Sequence, residues 1–426
     1  MPSPLGCYNI ADLRAKARKR LPKGIWEYLE RGVEDETGMA RNRAAFDAVT
    51  FRPRVLRGVE RVDLETTIFG KPAAMPLAIA PTGAAGLFWY DGDLELAMAA
   101  ALAGVPFTIS SASTMDVEQI ARAGGRLWFQ LYLWEQRELS MAVVDRAWQS
   151  GCDTLFVTLD MPVTPNREYL MRNGFGTPFR LTPRNAFNIA RHPRWLAGVM
   201  GRYALNGGIP SQANLPHRLR AKVTKHALPG TLFKHDNMDW DEIAALRDRW
   251  PGSFVLKGIL HPADAELALS IGADGVVVSN HGARALDGSV GTIEALPEIV
   301  AAVGGKLAIL LDSGVRRGSD VVKALALGAD MVMAGRAPLY GLAAGGQAGT
   351  VAALEILRQE IRRTMAMLGA RSMTEIDQAL LGSPRGSVEE RAGGSEALRA
   401  GWCTCRQSKW ERSNDPSHEC FSDVNA

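Results

Sequence analysis

Cysteine is scarce in this chain. Five of 426 residues are cysteine, Cys7, Cys152, Cys403, Cys405 and Cys420. Their odd number and scatter exclude the disulfide framework of a small secreted scaffold. Long apolar runs are missing too. No eighteen consecutive apolar residues occur, so no helix spanning a bilayer is expected. The opening MPSPLGCYNIADLRAKARKR carries no apolar signal core, and a cytoplasmic or cytosol-facing protein is the expectation. Net charge is only +3, too little to assign a partner from bulk charge. Aliphatic residues and period fade after about residue 385, and 385–426 is expected to be a disordered tail. Cys403, Cys405, His418 and Cys420 in that tail follow no zinc spacing, and no metal is expected.

What the chain does have is alternation. Short apolar runs at 74–81, 106–110, 127–133, 154–160, 254–259, 275–280, 307–314 and 331–336 are each followed by a helical pattern, the fourth only after a long insertion. Near-continuous apolar strands suit parallel strands covered on both faces. Eight strand–helix units close into a (β/α)8 TIM barrel, whose chemistry lies on the loops after the strands. The expected organisation is an N-terminal helical segment over 1–73, the barrel over 74–370, and an insertion at about 170–235.

Polar residues gather where the strands end: Gln130 and Tyr132, Thr158 and Asp160, Lys257, His281 and Arg284, Asp312, and Arg336. DSGVRRGSD after the seventh strand and AGR after the eighth combine glycines, arginines and a helix start, which suits a phosphate. His281 can exchange a proton near neutral pH. Arg284 offers a planar fork for a carboxylate. A base and a carboxylate clamp on one loop fit a substrate whose carboxylate adjoins the reacting carbon. Asp160 can pair with the imidazolium. Lys257, an ammonium within FVLKGI, needs an electron-rich neighbour because burying it uncompensated is costly.

The motifs LPKGIWEYLERGVEDE (21–36), APTG (80–83), WFQLY (128–132), TLD (158–160), LKGI (256–259), SNHGARALDG (279–288), DSGVRRGSDVVKALALGAD (312–330) and AGR (334–336) carry a resemblance. From about residue 8 to 370 the chain resembles the FMN-dependent 2-hydroxy-acid dehydrogenase and oxidase family, and within it the membrane-associated mandelate and lactate dehydrogenases. The resemblance implies FMN as cofactor and oxidation of an (S)-2-hydroxy acid to the 2-oxo acid. It implies that His281 is the base, Asp160 its partner, Arg284 and Arg167 the carboxylate clamp, and Tyr28 and Tyr132 ligands of substrate oxygens. Lys257 is implied beside the flavin N1 and C2 carbonyl. Thr82, Ser110, Gln130, Thr158 and Ser279 are implied at the flavin, and Asp312, Gly314, Arg316, Gly335 and Arg336 at the ribityl chain and phosphate. A homotetramer is implied as well.

Two residues depart from the family's SNHGGRQLD: Ala283 replaces a glycine and Ala285 a glutamine. Ala283 then requires either a negative φ or some strain. Gly83 stands where several oxidases carry alanine, and Ala112 where glycolate oxidases carry tryptophan, which suggests room for a bulky substrate side chain.

The insertion is the most lopsided part of the chain. Leu170–His235 contains no Asp or Glu and eleven Lys or Arg, with Phe179, Phe187, Trp195, Leu196, Met200 and Tyr203 among them. Charge alone would also suit nucleic acid. Cations mixed with aromatics, together with the resemblance, favour an anionic membrane surface on the inner face of the cell membrane, with a quinone or other acceptor for the electrons and no nucleic acid. Two other outcomes stand beside this: an oxidase that passes electrons to O2 and releases H2O2, and an idle flavoprotein scaffold. The scaffold predicts a broken catalytic set, whereas His281, Asp160, Arg284, Arg167, Tyr28 and Tyr132 are all present.

Overall fold

Three helices precede the first strand: α1 (Ile10–Arg20), α2 (Lys23–Glu30) and α3 (Thr37–Ala48). The structure, a computed structural model, describes residues 5–175, 181–215, 220, 222 and 238–382. The expected tail, its cysteines and parts of the insertion lie outside the described residues. A hairpin follows the helices, β1 (Thr66–Ile68) and β2 (Lys71–Ala73), which the apolar pattern does not announce.

Eight parallel strands then close on themselves: β3 (Leu77–Ile79), β4 (Phe107–Ser110), β5 (Leu127–Leu131), β6 (Thr154–Thr158), β7 (Ser253–Ile259), β8 (Gly275–Val278), β9 (Ala308–Leu311) and β10 (Met331–Ala334). The ring runs in chain order and closes between β10 and β3. This is the (β/α)8 barrel that the alternation predicts. Outside it lie α4 (Gly92–Ala103), α5 (Val117–Ile120) and α6 (Arg137–Gln149). The insertion after β6 supplies α7 (Glu168–Arg172), α8 (Pro183–Ala190), α9 (Pro193–Trp195) and α10 (Arg202–Leu205). The ring of helices resumes with α11 (Trp240–Arg249), α12 (Pro262–Ser270), α13 (Thr292–Val303), α14 (Gly318–Ala326) and α15 (Arg336–Leu368).

Two cores result from the period of the strands. Outward residues such as Ile79, Ile109, Leu155 and Val276 pack under the helices. Inward residues Ala78, Trp128, Phe156, Val255, Val277, Leu310 and Met333 fill the barrel, together with Ile68 and Ala73 of the hairpin. Phe69, at the hairpin tip, meets Trp128 at 6.0 Å between ring centres. A β-carbon on Gly275, the first residue of β8, would come within 3.2 Å of that Phe69 ring. The hairpin therefore corks the end where the strands begin. Burying Phe69 and its neighbours contributes on the order of 2 kcal/mol per side chain.

The insertion folds back on the molecule. Trp195 is 4% exposed and Tyr203 8% exposed. The Trp195 indole donates to the Leu87 carbonyl at 2.8 Å, and the Tyr203 hydroxyl accepts from the Asp91 amide at 3.2 Å. Two aromatics expected on an outer face thus belong to the core. Met171, Leu181, Phe187, Leu196 and Leu205 are the large apolar side chains the insertion leaves exposed among the described residues.

Candidate active site

The loop after β8 is wound left-handed for three residues. His281, Gly282 and Ala283 have φ of 59°, 66° and 58°. Only glycine adopts this region freely, and an alanine there costs about 1–2 kcal/mol. Ala283 therefore takes the strained of its two options. The turn is tied down from several sides. Ser279 Oγ accepts from the His281 amide at 3.1 Å. Ser313 Oγ accepts from the Gly282 amide at 2.8 Å. Asn280 Oδ1 accepts from the Ala283 amide at 3.2 Å.

The winding throws the imidazole across the mouth. Nδ1 of His281 lies 2.8 Å from Asp160 Oδ1, and Nε2 lies 3.3 Å from the Tyr132 hydroxyl. With Asp160 ionised, Nδ1 carries the proton and Nε2 is free to accept one. Burial lowers the pKa of His281, Asp160 opposes this, and Lys257 and Arg167 add to the lowering. The base is thus neutral at pH 7. Asp160 is held below the ordinary carboxylate range despite burial, because His281 and Lys257 face it. Tyr132 is raised by burial and by Asp160, so its hydroxyl keeps its proton.

Two arginines face each other beside this pair. Arg284 donates from Nη1 to the carbonyls of Tyr28 and Arg31, each at 2.8 Å, and its guanidinium lies 5.2 Å from the Tyr28 ring centre. Arg167 donates to the Arg284 carbonyl at 3.3 Å. Burial and the Arg284 cation both lower Arg167, and its buried Nε has no hydrogen-bond partner. Two apposed guanidinium groups with spare donors suit a carboxylate. A β-carbon at Gly83 would lie 3.1 Å from Ala112 Cβ and 3.7 Å from the Tyr28 hydroxyl. Behind Ala112 a small cavity is lined by Ser111, Trp134, Gln212 and Leu215, so the insertion helps wall this side.

Inside the mouth, Ser110 Oγ donates to Gln130 Oε1 at 2.9 Å and Gln130 Nε2 donates to Thr158 Oγ1 at 2.9 Å. Lys257 is not a lone cation. Its Nζ lies 2.7 Å from Ser279 Oγ and 3.0 Å from Asp312 Oδ2. Burial pulls its pKa down, but Asp312 and Asp160 hold it above the ordinary value. Asp312, the residue expected at the ribityl chain, meets the lysine through Oδ2.

At the far side of the mouth Arg316 and Arg336 stand near Gly314 and Gly335. Gly314 has φ 84°, and a β-carbon there would strike Asn42 at 3.1 Å. Arg336 donates only to the carbonyls of Leu29, Gly282 and Arg31 and to the Met39 sulfur. Burial and the cations Arg316 and Arg284 push its pKa down to about 10. A guanidinium facing two cations suits an anion such as a phosphate. Thr82 Oγ1 is buried without a partner, a spare polar atom facing the same mouth. These features fit a phosphate-bearing planar cofactor lying across the strand ends.

Some supporting residues escape a reading of the sequence. Asn42 and Asn280 exchange amide hydrogen bonds at 3.0 and 2.8 Å, 238 residues apart in sequence. Asp287 accepts from the Thr37 and Gly38 amides at 3.1 and 2.8 Å. Only the regular spacing of Asp287 after His281 hints at the second.

A barrel with an acid–base pair, a double arginine clamp and a phosphate-suited rim defines a cofactor-dependent oxidoreductase site. The chain belongs to the FMN-dependent dehydrogenase family, whose model matches residues 17–383, and FMN is its cofactor. It is 40% identical over 370 residues to (S)-mandelate dehydrogenase of Pseudomonas putida, covering 87% of this chain and 92% of that one. It is also 40% identical over 373 residues to L-lactate dehydrogenase of Ectopseudomonas mendocina, covering 87% and 97%. The crystal structure of the monotopic membrane protein (S)-mandelate dehydrogenase matches with a TM-score of 0.83 at 40% identity, over 88% of this chain and 99% of that chain.

Proposed function

We propose that the protein oxidises an (S)-2-hydroxy acid of the mandelate or lactate type to the 2-oxo acid. The observation that carries this is the Arg167–Arg284 pair beside the Asp160-oriented His281. The substrate carboxylate docks on the two guanidinium groups, and Tyr28 and Tyr132 bind its oxygens. The reaction removes two electrons and two protons from the substrate. His281 Nε2 takes one proton, and Asp160 stabilises the imidazolium that forms. When bound, FMN would supply the sink for the two electrons and the second proton. Lys257 would face its electron-rich N1 edge. Thr82, Ser110, Gln130, Thr158 and Ser279 would line the ring site, and Asp312, Gly314, Arg316, Gly335 and Arg336 would hold the ribityl chain and phosphate.

The electrons pass on to a quinone at an anionic membrane surface on the inner face of the cell membrane. Exposed Phe187, at 66%, and Leu205, at 87%, stand among Arg184, Arg191, Arg194 and Arg202 of the insertion, a mixture that favours the headgroup region. By family resemblance the enzyme assembles as a homotetramer, which sedimentation tests. The central test is anaerobic: purified holoenzyme is mixed with a panel of hydroxy acids and flavin bleaching is recorded. (S)-Mandelate or L-lactate bleaches the flavin and yields the 2-oxo acid. Absence of bleaching by every (S)-2-hydroxy acid overturns the proposal.

A further inference from the structure

The strand that carries Lys257 is broken at the next residue. The register of β7 on β8 shifts between Lys257 and Ile259, and Gly258 sits at the break with φ 105°. Residues with a side chain rarely adopt that conformation. A β-carbon built at 258 would lie 2.6 Å from Asp160 Cβ, 2.9 Å from its Cγ and 3.0 Å from its backbone nitrogen. No rotamer change relieves a collision with main chain and Cβ. Such bulges re-aim the side chains on either side. Here Lys257 points to Ser279 and Asp312, while the space above Gly258 is filled by Asp160.

We propose that Gly258 is a positioning residue for the reaction: the missing side chain lets Asp160 close onto β7 and so stand within hydrogen-bond reach of His281. The inference rests on the role proposed above for the Asp160–His281 pair.

The groups facing His281 come from several elements. Asp160 follows β6, Lys257 lies on β7, Tyr132 follows β5, and Arg167 precedes α7, with Tyr28 from α2 and Arg284 from the same loop beyond them. Of the charged groups acting on the imidazole, Asp160 favours protonation, whereas Lys257 and Arg167 oppose it. Moving Asp160 away therefore lowers the affinity of His281 for its proton. A loss of stability alone would leave that affinity unchanged.

The test uses holoenzyme and anaerobic stopped-flow bleaching by (S)-mandelate and L-lactate across pH. Gly258→Ala and Asp160→Asn are compared with Gly272→Ala. Gly272 has φ 76° with nothing within 4 Å of an added β-carbon, so it carries backbone strain without a collision. Gly258→Ala slows bleaching by about 10- to 150-fold, the range of a charge-assisted hydrogen bond, and moves the acid limb to lower pH. Asp160→Asn moves it in the same direction, and Gly272→Ala does not move it. A Gly258→Ala enzyme with the parental acid limb overturns the inference while leaving the pair's role intact. An Asp160→Asn enzyme with parental rate and limb overturns both. If Gly258→Ala does not fold, it is made in the Asp160→Gly background, where the collision is largely removed. There it costs about as much stability as Gly272→Ala; an undiminished cost overturns the inference.

Discussion

Replacing Lys257 by methionine keeps the length of the side chain and removes the charge. In the parent the ammonium sits 3.0 Å from Asp312, and the two side chains are 5% and 9% exposed. At an effective dielectric of about 20, opposite charges at that distance attract by ~5.5 kcal/mol. Breaking a buried pair by removing one partner costs about 3–5 kcal/mol, because the other charge stays buried. The Coulomb figure lies slightly above that range because it leaves out the desolvation of the ammonium, so the lower range is the one expected. Lys257→Met therefore loses about 3–5 kcal/mol in urea unfolding followed by tryptophan fluorescence. Adding Asp312→Asn removes the stranded charge and restores most of that loss, but flavin bleaching by substrate stays impaired, as the role proposed for the Lys257 ammonium requires. A single variant that loses less than about 1 kcal/mol, or a double variant no more stable than the single, refutes this account of the pair.

His281→Ala abolishes substrate-driven bleaching while FMN stays bound, a loss of at least ~10²–10⁴-fold for removal of a base; the flavin spectrum and stopped-flow trace check both halves. In the parent, the lowered pKa of His281 keeps the base neutral down to below its ordinary 6.5, so the bleaching rate holds at pH 6.5 and falls only at lower pH. Arg284→Lys raises the substrate dissociation constant about 10- to 150-fold through loss of the planar fork, read from the concentration dependence of bleaching. Ala112→Trp slows reduction by mandelate far more than by glycolate, because an indole enters the space by Gly83; equal effects on both acids would remove the size argument. Replacing exposed Arg184, Arg191 and Arg194 together by glutamine weakens salt-sensitive pelleting with anionic vesicles, since exposed charges are screened beyond about 10 Å at 0.1 M salt, and leaves the flavin reducible.

The barrel strands are legible because parallel strands covered on both faces are apolar along their length, and the site follows because polar residues cluster at their ends. The hairpin is not, since TTI and KPA are three-residue strands whose value lies in Phe69 reaching a barrel formed later in the chain. Trp195 and Tyr203 mislead for a related reason. An aromatic with one polar atom suits a membrane interface or a buried site with a single acceptor equally well, and only the Leu87 carbonyl and Asp91 amide decide. Lys257 and Asp312 each announce a charge, but the 54 residues between them conceal that they meet. Backbone strain is the least visible. Nothing in SNHGARALDG states that Ala283 turns left-handed; its neighbours hold the loop there, as Ser279, Ser313 and Asn280 accept from the amides of His281, Gly282 and Ala283.

The eight-fold repeat invites recombination, in which half-barrels or single strand–helix units are traded between relatives. The contacts of α2 and α3 set a limit on that. Tyr28 and Arg31 hold Arg284 by their carbonyls, Asn42 locks Asn280, and Thr37 and Gly38 grip Asp287. The loop after β8 is therefore shaped by residues more than two hundred positions upstream. A chimera that imports the sixth unit with its own catalytic loop must import residues 28–42 with it. The smallest exchangeable piece of this enzyme is discontinuous along the chain.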